Sequence, residues 1–386
     1  MKALLLALCL LLGGCAAIEA GRPPAVSALF DDSRFNAADA VPAADVFAVS
    51  PAMRAWLDAA DVRTQLRQRG KEQGLVAALY DAGELKLEYD AAQTRTASQA
   101  YAARRGNCLS LVIMTAAFAK ALGLEVHYQN VVVDESWRRN GELVVASGHV
   151  NLSLGRPLLG ERSVGAERVL TIDFLPAEDV AGYHSYEIGE DTIVAMFDNN
   201  RAVEAMLGRR LDEAYWWARA ALLRDPAFGA AYNTLAVIYQ RHGDTAMAER
   251  SWRMALAREP ENAVAMRNLA PLLAQTGRGA EADALIRRAA AIEPYPPFHF
   301  FKLGMTAMEN KDYAAARALF AREVERAPYH DEFHFWLGIA LLRLGEANEA
   351  KAQMALALQT SASAQASSLY SAKLEQLRKG GALRLQ

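Results

Sequence analysis

The chain has 386 residues, of which 52% are hydrophobic and 23% charged, and its formal net charge is −3. This length allows two domains of ordinary size. The composition excludes a largely disordered chain, and the small net charge leaves no basic field that would attract nucleic acid.

The first residues have the features of an export signal. Lys2 is followed by an apolar run, Ala3 to Leu12, and then by Gly13-Gly14-Cys15. The run is too short to span a bilayer, which takes about 20 apolar residues in a helix. A charged start, a short apolar core and small residues before a cleavage point therefore predict a signal peptide over residues 1–14.

The small residues that end in Cys15 resemble the lipobox of bacterial lipoproteins. The resemblance implies that Cys15 carries a lipid; simple secretion is the alternative. Ala16 stands where the inner-membrane retention signal has Asp, which implies an outer-membrane anchor that faces the periplasm. Residues 15–45 are rich in Ala, Pro and Asp without a clear period, and we predict a lipidated tether there, so that the only membrane contact is the lipid.

Residues 46–192 have the mixed pattern of an α+β domain. Helices are predicted at four places, over 51–57, 62–68, 73–80 and 94–104. The fourth begins at Thr94 or Thr96, either of which could cap it. An apolar, Ala-rich run over 111–122 then predicts a buried helix that Gly123 closes. Beyond it the hydrophobic period changes to two, which predicts strands over 125–132, 143–154 and 168–174.

Cysteine usage singles out Cys108. Cys9 would leave with the signal peptide and Cys15 would carry the lipid, so Cys108 is the one thiol expected in the mature chain. In an exported protein such a cysteine is a reactive thiol, half of an intermolecular disulfide, or a small buried apolar residue. Its place at the first turn of a buried helix favours the thiolate form and offers N–H groups to an oxyanion.

A nucleophile, a base and an orienting acid follow one another in the sequence. Cys108 lies at the first turn of the buried helix, and His149 and Asp173 lie on the second and third predicted strands. In this arrangement His149 would take the thiol proton and Asp173 would hold the imidazole. His127 and His184 are rival bases, and Asp179 is a rival acid.

Residues around the nucleophile resemble the transglutaminase-like, papain-fold superfamily over about 75–180. The resemblance lies in Gly106-Asn107-Cys108 and in the helix end Ala121-Leu122-Gly123-Leu124. It implies a papain-like domain with Cys108, His149 and Asp173 as catalytic residues, and acyl transfer at a peptide or side-chain amide. A peptidase or amidase is favoured over a transglutaminase.

Two further details concern the residues of the site. Val150 follows the histidine where the family often has an aromatic residue. Asn107 and Gln129 are the candidates for an oxyanion donor.

The sequence has no CxxC, HExxH, GxGxxG or P-loop pattern, so we predict no metal, no cofactor and no nucleotide.

A 34-residue period runs through residues 193–386. It is marked by a proline at the end of each unit, at Pro226, Pro260, Pro294 and Pro328. An alanine stands twelve positions before each proline, where two helices would cross closely, at Ala214, Ala248, Ala282 and Ala316. Proline cannot continue a helix, so each unit is predicted to be one helical hairpin.

These units resemble tetratricopeptide repeats. Five repeats are predicted, the first weak in its leading helix, followed by a capping helix over 365–379. The resemblance implies an all-α solenoid that binds a protein or an extended peptide, although a solenoid can also be a spacer. Two functions follow from the sequence: acyl transfer on an envelope protein docked by the repeats or, alternatively, a non-catalytic envelope scaffold or peptide-binding protein.

Overall fold

The computed structural model describes residues 25–36, 45–81, 87–90, 93–140, 143–155, 170–174, 184–361 and 364–378. The predicted signal peptide, Cys15, Asp179 and parts of the predicted tether lie outside these residues. None of the described helices combines the length and the apolar character needed to cross a bilayer.

Three short helices open the α+β part of the chain. They are α1 (Pro51–Leu57), α2 (Ala60–Arg69) and α3 (Lys71–Val76), and a π-helical turn, Ala77–Asp81, follows α3. Helix α1 has the predicted bounds, because Ser50 caps it by accepting the Met53 N–H at 3.2 Å. The segment predicted as one helix over 73–80 is divided between α3 and the turn.

Helix α4 (Ala97–Ala103) lies between strand β1 (Glu88–Tyr89) and strand β2 (Arg105–Gly106), which pair in parallel. Of the two predicted caps, Thr96 is the one used. It forms a capping box with Gln99, in which each side chain bonds the other residue's backbone N–H.

Helix α5 (Cys108–Ala121) is the predicted buried helix, and it begins at the cysteine itself. Its residues from Leu109 to Ala119 are all buried. A helix that is apolar all round must be covered on every side. It packs against the sheet, against α3 and α4, and against a helix of the repeat region.

The described long strands form one antiparallel sheet in the order β5-β4-β3-β6. Its strands are β3 (Val126–Asn140), β4 (Leu143–Leu154), β5 (Leu170–Ile172) and β6 (His184–Ile188). Strand β4 has the predicted bounds. Strand β3 runs eight residues beyond its predicted end at 132, and β6 was not predicted.

The repeat region consists of helical hairpins. Within residues 184–361 ten helices form five hairpins: α6 (Glu190–Leu207) with α7 (Leu211–Arg224), α8 (Gly229–His242) with α9 (Thr245–Arg258), α10 (Ala263–Gln275) with α11 (Gly279–Ile292), α12 (His299–Glu309) with α13 (Tyr313–Arg326), and α14 (Asp331–Arg343) with α15 (Ala347–Thr360). Helix α16 (Ala364–Arg378) follows the fifth hairpin, and we call α6–α16 the array. The 34-residue period therefore corresponds to one hairpin.

Small residues allow the two helices of a hairpin to pack closely. Ala214, Ala248 and Ala316 have no exposed surface. At Gly304 a Cβ atom would lie only 2.6 Å from the ring of Phe320, the large residue of the second helix. These positions are small because the partner helix fills the space that a side chain would need.

The α+β part and the array share a core. Ile193 and Phe197 of α6 are buried in the same apolar cluster as Phe118 of α5 and Leu152 of β4. The predicted boundary between 192 and 193 falls inside α6, which begins at Glu190. The first helix of the array is therefore also a wall of the preceding unit.

The β3–β4 hairpin reaches a second part of the array. The Trp137 side chain of β3 is only 6% exposed and packs against Phe298 and Phe333, with ring centroids at 5.1 and 5.8 Å. The Trp137 N–H also donates to the Tyr329 hydroxyl at 3.2 Å. We call the part of β3 after Val131 and the part of β4 before His149 the arm. The arm connects the sheet to the fourth and fifth hairpins.

Residues 26–36 correct the predicted tether over 15–45. They contain two single-turn 3₁₀ helices, Val26–Leu29 and Asp32–Arg34, and they lie on the first two hairpins. Leu29 and Phe35 are 2% and 4% exposed, so this part of the segment is docked. Its apolar residues make the docked position more favourable than a solvated tether.

Candidate active site

The start of α5 is built around Cys108. Asn107 caps the helix, since its side-chain oxygen accepts the Ser110 N–H at 2.9 Å and the Ser110 hydroxyl at 2.7 Å. Gly106 must be small, because a Cβ atom there would lie 2.6 Å from the Cβ of Ser110. Cys108, a free and half-buried thiol, is thereby held at the N-terminal end of the helix dipole.

The structure brings the three predicted catalytic residues together. The imidazole Nε2 of His149 lies 2.6 Å from Oδ1 of Asp173, and the Cys108 side chain is near enough to the same ring to help raise its pKa. Because Nε2 faces the carboxylate, Nδ1 is the ring nitrogen left for the thiol. His149 is 3% exposed, so this contact is shielded from water.

These contacts set the charge of the imidazole. Burial by itself would lower the pKa of His149, but its hydrogen bonds to Asp173 and Cys108 outweigh burial and raise the pKa to about 9. At neutral pH the imidazolium form is therefore favoured.

Asn151 is a member of the site that the sequence analysis missed. Its side-chain amide donates to Oδ2 of Asp173 at 2.9 Å, while Oδ1 of the same carboxylate faces His149. His149 and Asn151 are two residues apart on β4 and therefore lie on one face of the sheet. The alternation His-Val-Asn was the signal that could have pointed to it.

The two predicted oxyanion donors have different surroundings. The Asn107 amide caps α5 and also donates to the Thr94 hydroxyl at 2.9 Å, so its side chain acts in the fold of the site. Gln129, on β3, is half-buried and lies directly opposite Asn151, on the face that carries His149. The backbone N–H of Cys108 is the further donor that a helix N-terminus offers.

The rival bases are placed elsewhere. The His127 Nδ1 lies 3.0 Å from Glu187 of β6, and the ring interacts with that carboxylate. His184 is exposed on β6, and the register places it on the opposite sheet face from His149. Among the described residues, no group of three or more His, Cys, Asp or Glu side chains is arranged to hold a metal ion.

The array contributes directly to the wall of the site. Glu204 of α6 accepts the Thr94 N–H at 2.6 Å, and Thr94 is the residue that accepts from the Asn107 amide. Arg201, one turn earlier on α6, donates to the other Glu204 oxygen at 2.6 Å. Hydrogen bonds thus connect α6 to the residue that caps the helix of Cys108.

The arm begins next to His149. Val131 of β3 pairs with His149 of β4, and the pairing shifts register between Val131 and Ser136. Beyond that irregularity the arm continues to Trp137 and the array. The site therefore lies where the sheet ends and the arm leaves it.

Comparison with known proteins gives a likeness of limited extent. The sequence matches no family model and no curated protein. Among solved structures it is similar to PilF of Pseudomonas aeruginosa, with 21% identity, a TM-score of 0.33, and coverage of 50% of this chain and 87% of that one.

Two further solved structures are similar. PilW, a type IV pilus biogenesis factor, has 23% identity, a TM-score of 0.27, and coverage of 49% of this chain and 95% of its own. YrrB, described as a tetratricopeptide protein with an unusual peptide-binding site, has 20% identity, a TM-score of 0.25, and coverage of 46% and 92%. Such scores do not establish a common architecture. The tetratricopeptide character of residues 190–360 rests on the 34-residue hairpins of this chain.

Proposed function

We propose that the α+β part is a transglutaminase-like, papain-fold domain that catalyses thiol-dependent acyl transfer at an amide. The observation that carries the proposal is the 2.6 Å contact of His149 with Asp173, on an imidazole that also interacts with the Cys108 side chain. Order in the sequence, burial and hydrogen bonding agree on one role for each residue. The nucleophile is Cys108, the acid and base is His149, and Asp173 orients the imidazole.

The reaction follows from these roles. The Cys108 thiolate attacks the amide carbonyl carbon, and the oxyanion is held by N–H groups at the start of α5. The C–N bond breaks as His149 gives its proton to the leaving amine, and a thioester remains. Water, activated by His149, then releases a carboxylic acid and regenerates the thiol. We favour this hydrolysis over attack by a second amine, which would make the protein a transglutaminase.

Alkylation of Cys108 tests the proposal. The full chain in mild detergent is treated with iodoacetamide from pH 4 to 9, and the Cys108 peptide is quantified by mass spectrometry, which separates it from Cys9 and Cys15. Rapid labelling below pH 7 that is lost in His149→Ala supports a Cys–His pair. Equal pH profiles for the two proteins would contradict it. Exposed His184→Ala is the matched control.

We further propose that the array binds a protein or peptide. Its supporting observation is that the first two hairpins hold residues 26–36, while the fourth and fifth hold the arm. Binding by the array would bring an envelope substrate to Cys108. If Cys108 proves inert, the same surfaces make the chain a peptide-binding scaffold.

For localisation we propose an outer-membrane lipoprotein that faces the periplasm, on the strength of the N-terminal sequence pattern. Cys15 would carry the lipid. The test is the intact mass of the membrane-extracted protein: a diacylglyceryl and acyl adduct on a chain that begins at Cys15 is expected, and Cys15→Ser should remove it. A membrane-extracted chain that starts at Met1 would refute the proposal.

A further inference from the structure

Residues 26–36 are bound by the array as a peptide would be. Two apolar anchors enter the surface made by α7, α8 and α9. Leu29 is 2% exposed, and Phe35 stacks on Tyr215 with ring centroids 3.8 Å apart and planes at 5°. The edge of Tyr239 and the tilted ring of His242 also pack on Phe35, with ring centroids at 5.7 and 4.7 Å. The array therefore has an aromatic site for one ring and an apolar site for a residue six positions earlier.

Between the anchors the contacts are polar and of both signs: Asp32 pairs with Arg219, and Nε of Arg34 lies 3.1 Å from Oδ2 of Asp244 at the start of α9. Oδ1 of Asp32 accepts from the Tyr215 hydroxyl at 2.6 Å and from Nε of Arg219 at 2.9 Å. Arg219 also lies 5.0 Å from the ring centroid of Phe30. This combination selects an acidic residue three positions after the first anchor and three before the second.

The remaining bonds are to the backbone of the segment. The carbonyl oxygens of Ala28, Leu29 and Asn36 accept at 3.0, 2.8 and 2.8 Å. Their donors on the array are Arg250, Tyr239 and Trp216. Bonds to backbone carbonyls do not depend on the side chains of the bound segment. Another segment with the same three side chains could therefore make the same anchor, carboxylate and backbone contacts.

We propose that this surface, the α7–α9 groove, is a peptide-binding site for a partner protein, and that residues 26–36 occupy it as an internal competitor. The partner segment carries an apolar residue, an acid three residues later and an aromatic residue three after that. The proposal deepens the binding role of the array and is independent of Cys108 chemistry. Because the competitor is covalently attached, a partner binds in proportion to the fraction of chains in which the groove is open.

The test uses a fluorescent peptide of residues 25–36 and the full chain in detergent, with binding followed by anisotropy. Asp32→Lys in the chain opens the groove, since the lysine would face Arg219, and the Asp32 side chain is exposed enough to change without loss of the core. We expect the peptide to bind Asp32→Lys at least about tenfold more tightly than wild type. Phe35→Ala, which removes the ring on Tyr215, should act in the same direction.

Charge reversal identifies the site. The test uses a chain with Asp32→Ala, in which the competitor has lost its carboxylate. Adding Arg219→Glu to this chain should abolish binding of the wild-type peptide, and a peptide with Asp32→Lys should bind the double variant. Failure of the peptide to bind any opened chain, or equal binding to opened and wild-type chains, would overturn the proposal. A wild-type dimer that dissociates in Phe35→Ala would assign the groove to a second copy and also overturn it. Cys108 labelling, measured on the same samples, reports separately on the enzyme proposal.

Discussion

Glu204 of the array and Thr94 of the α+β part are joined by a hydrogen bond of 2.6 Å from the Thr94 N–H to Oε1 of Glu204. Thr94 is 2% exposed, so this bond satisfies a buried backbone donor. Through the Thr94 hydroxyl the contact extends to Asn107, the cap of the cysteine helix. The array and the candidate site are thus parts of one polar network.

Glu204→Ala should therefore affect both stability and Cys108. Loss of the acceptor leaves a buried N–H without its partner, which costs about 1–3 kcal/mol of unfolding free energy. Glu204→Gln keeps an oxygen acceptor and loses only the charge contact with Arg201, so its effect should be smaller. Urea unfolding measures the change in stability, and the pH profile of Cys108 alkylation measures the effect on Cys108. The exposed Glu261→Ala is the control; if it matches Glu204→Ala, the network has no special role.

The pKa of His149 predicts a pH dependence of stability. Its value is raised from 6.5 in the unfolded chain to about 9 in the folded protein. The stabilisation is therefore complete below pH 6.5 and is lost as the pH rises through about 9. Asp173→Asn removes the carboxylate that favours the imidazolium, so stability should change less across this range. Urea midpoints between pH 6 and 9.5 measure the difference, and parallel curves would count against the assigned contacts.

Asp198 on α6 predicts a loss of stability with rising pH in a lower pH range. Burial raises its pKa from 3.8 to about 7, and the opposing charge of Arg224 offsets this only in part. Because the unfolded chain ionises first, stability falls between about pH 4 and pH 7, by an upper limit of about 4 kcal/mol. Asp198→Asn should be more stable than wild type at pH 8 and little changed at pH 4. Thermal unfolding at both pH values, with Asp212→Asn as the control, tests this; a stabilisation equal at both would contradict the burial effect.

Trp137 packs the arm against the array. Trp137→Ala removes an aromatic side chain packed among Phe298 and Phe333 and should cost about 3–5 kcal/mol if the whole chain unfolds as one unit. Hydrogen exchange distinguishes a local effect, in which amides of the arm and of Phe298 lose protection while those of α5 do not. Trp56→Ala, in the other core, is the comparison. Unchanged exchange in the arm would show that Trp137 does not hold it.

Most elements followed from local pattern. The helix over Pro51–Leu57 has its predicted bounds, and its serine cap and first-turn proline are local signals, as is the alternation of residues in β4. The helix break at Ala77–Asp81 and strand β6 were missed. Strand β6 is mostly exposed, so it lacks the buried residues that make alternation visible. The extension of β3 beyond 132 depends on the array that receives Trp137, which no local pattern records.

The candidate site was predictable to the level of its three main residues. Cys108 was found from cysteine usage and its helix, and His149 and Asp173 from their strands. Asn151 and Glu204 were not predicted, because their roles depend on their tertiary contacts with Asp173 and Thr94. Asn107 was predicted as an oxyanion candidate, whereas its bonds to Ser110 make it the helix cap.

The sequence by itself determined the 34-residue hairpins, the buried cysteine helix and the candidate triad, because periodicity, capping and residue chemistry are local properties. Only the tertiary structure decided that α6 is shared by both parts, that the arm meets the fourth and fifth hairpins, and that residues 26–36 dock on the array. Those contacts join residues up to about two hundred positions apart, as in the bond from Tyr239 to Leu29. Their stability comes from mutual burial, which depends on both surfaces and appears in neither segment alone.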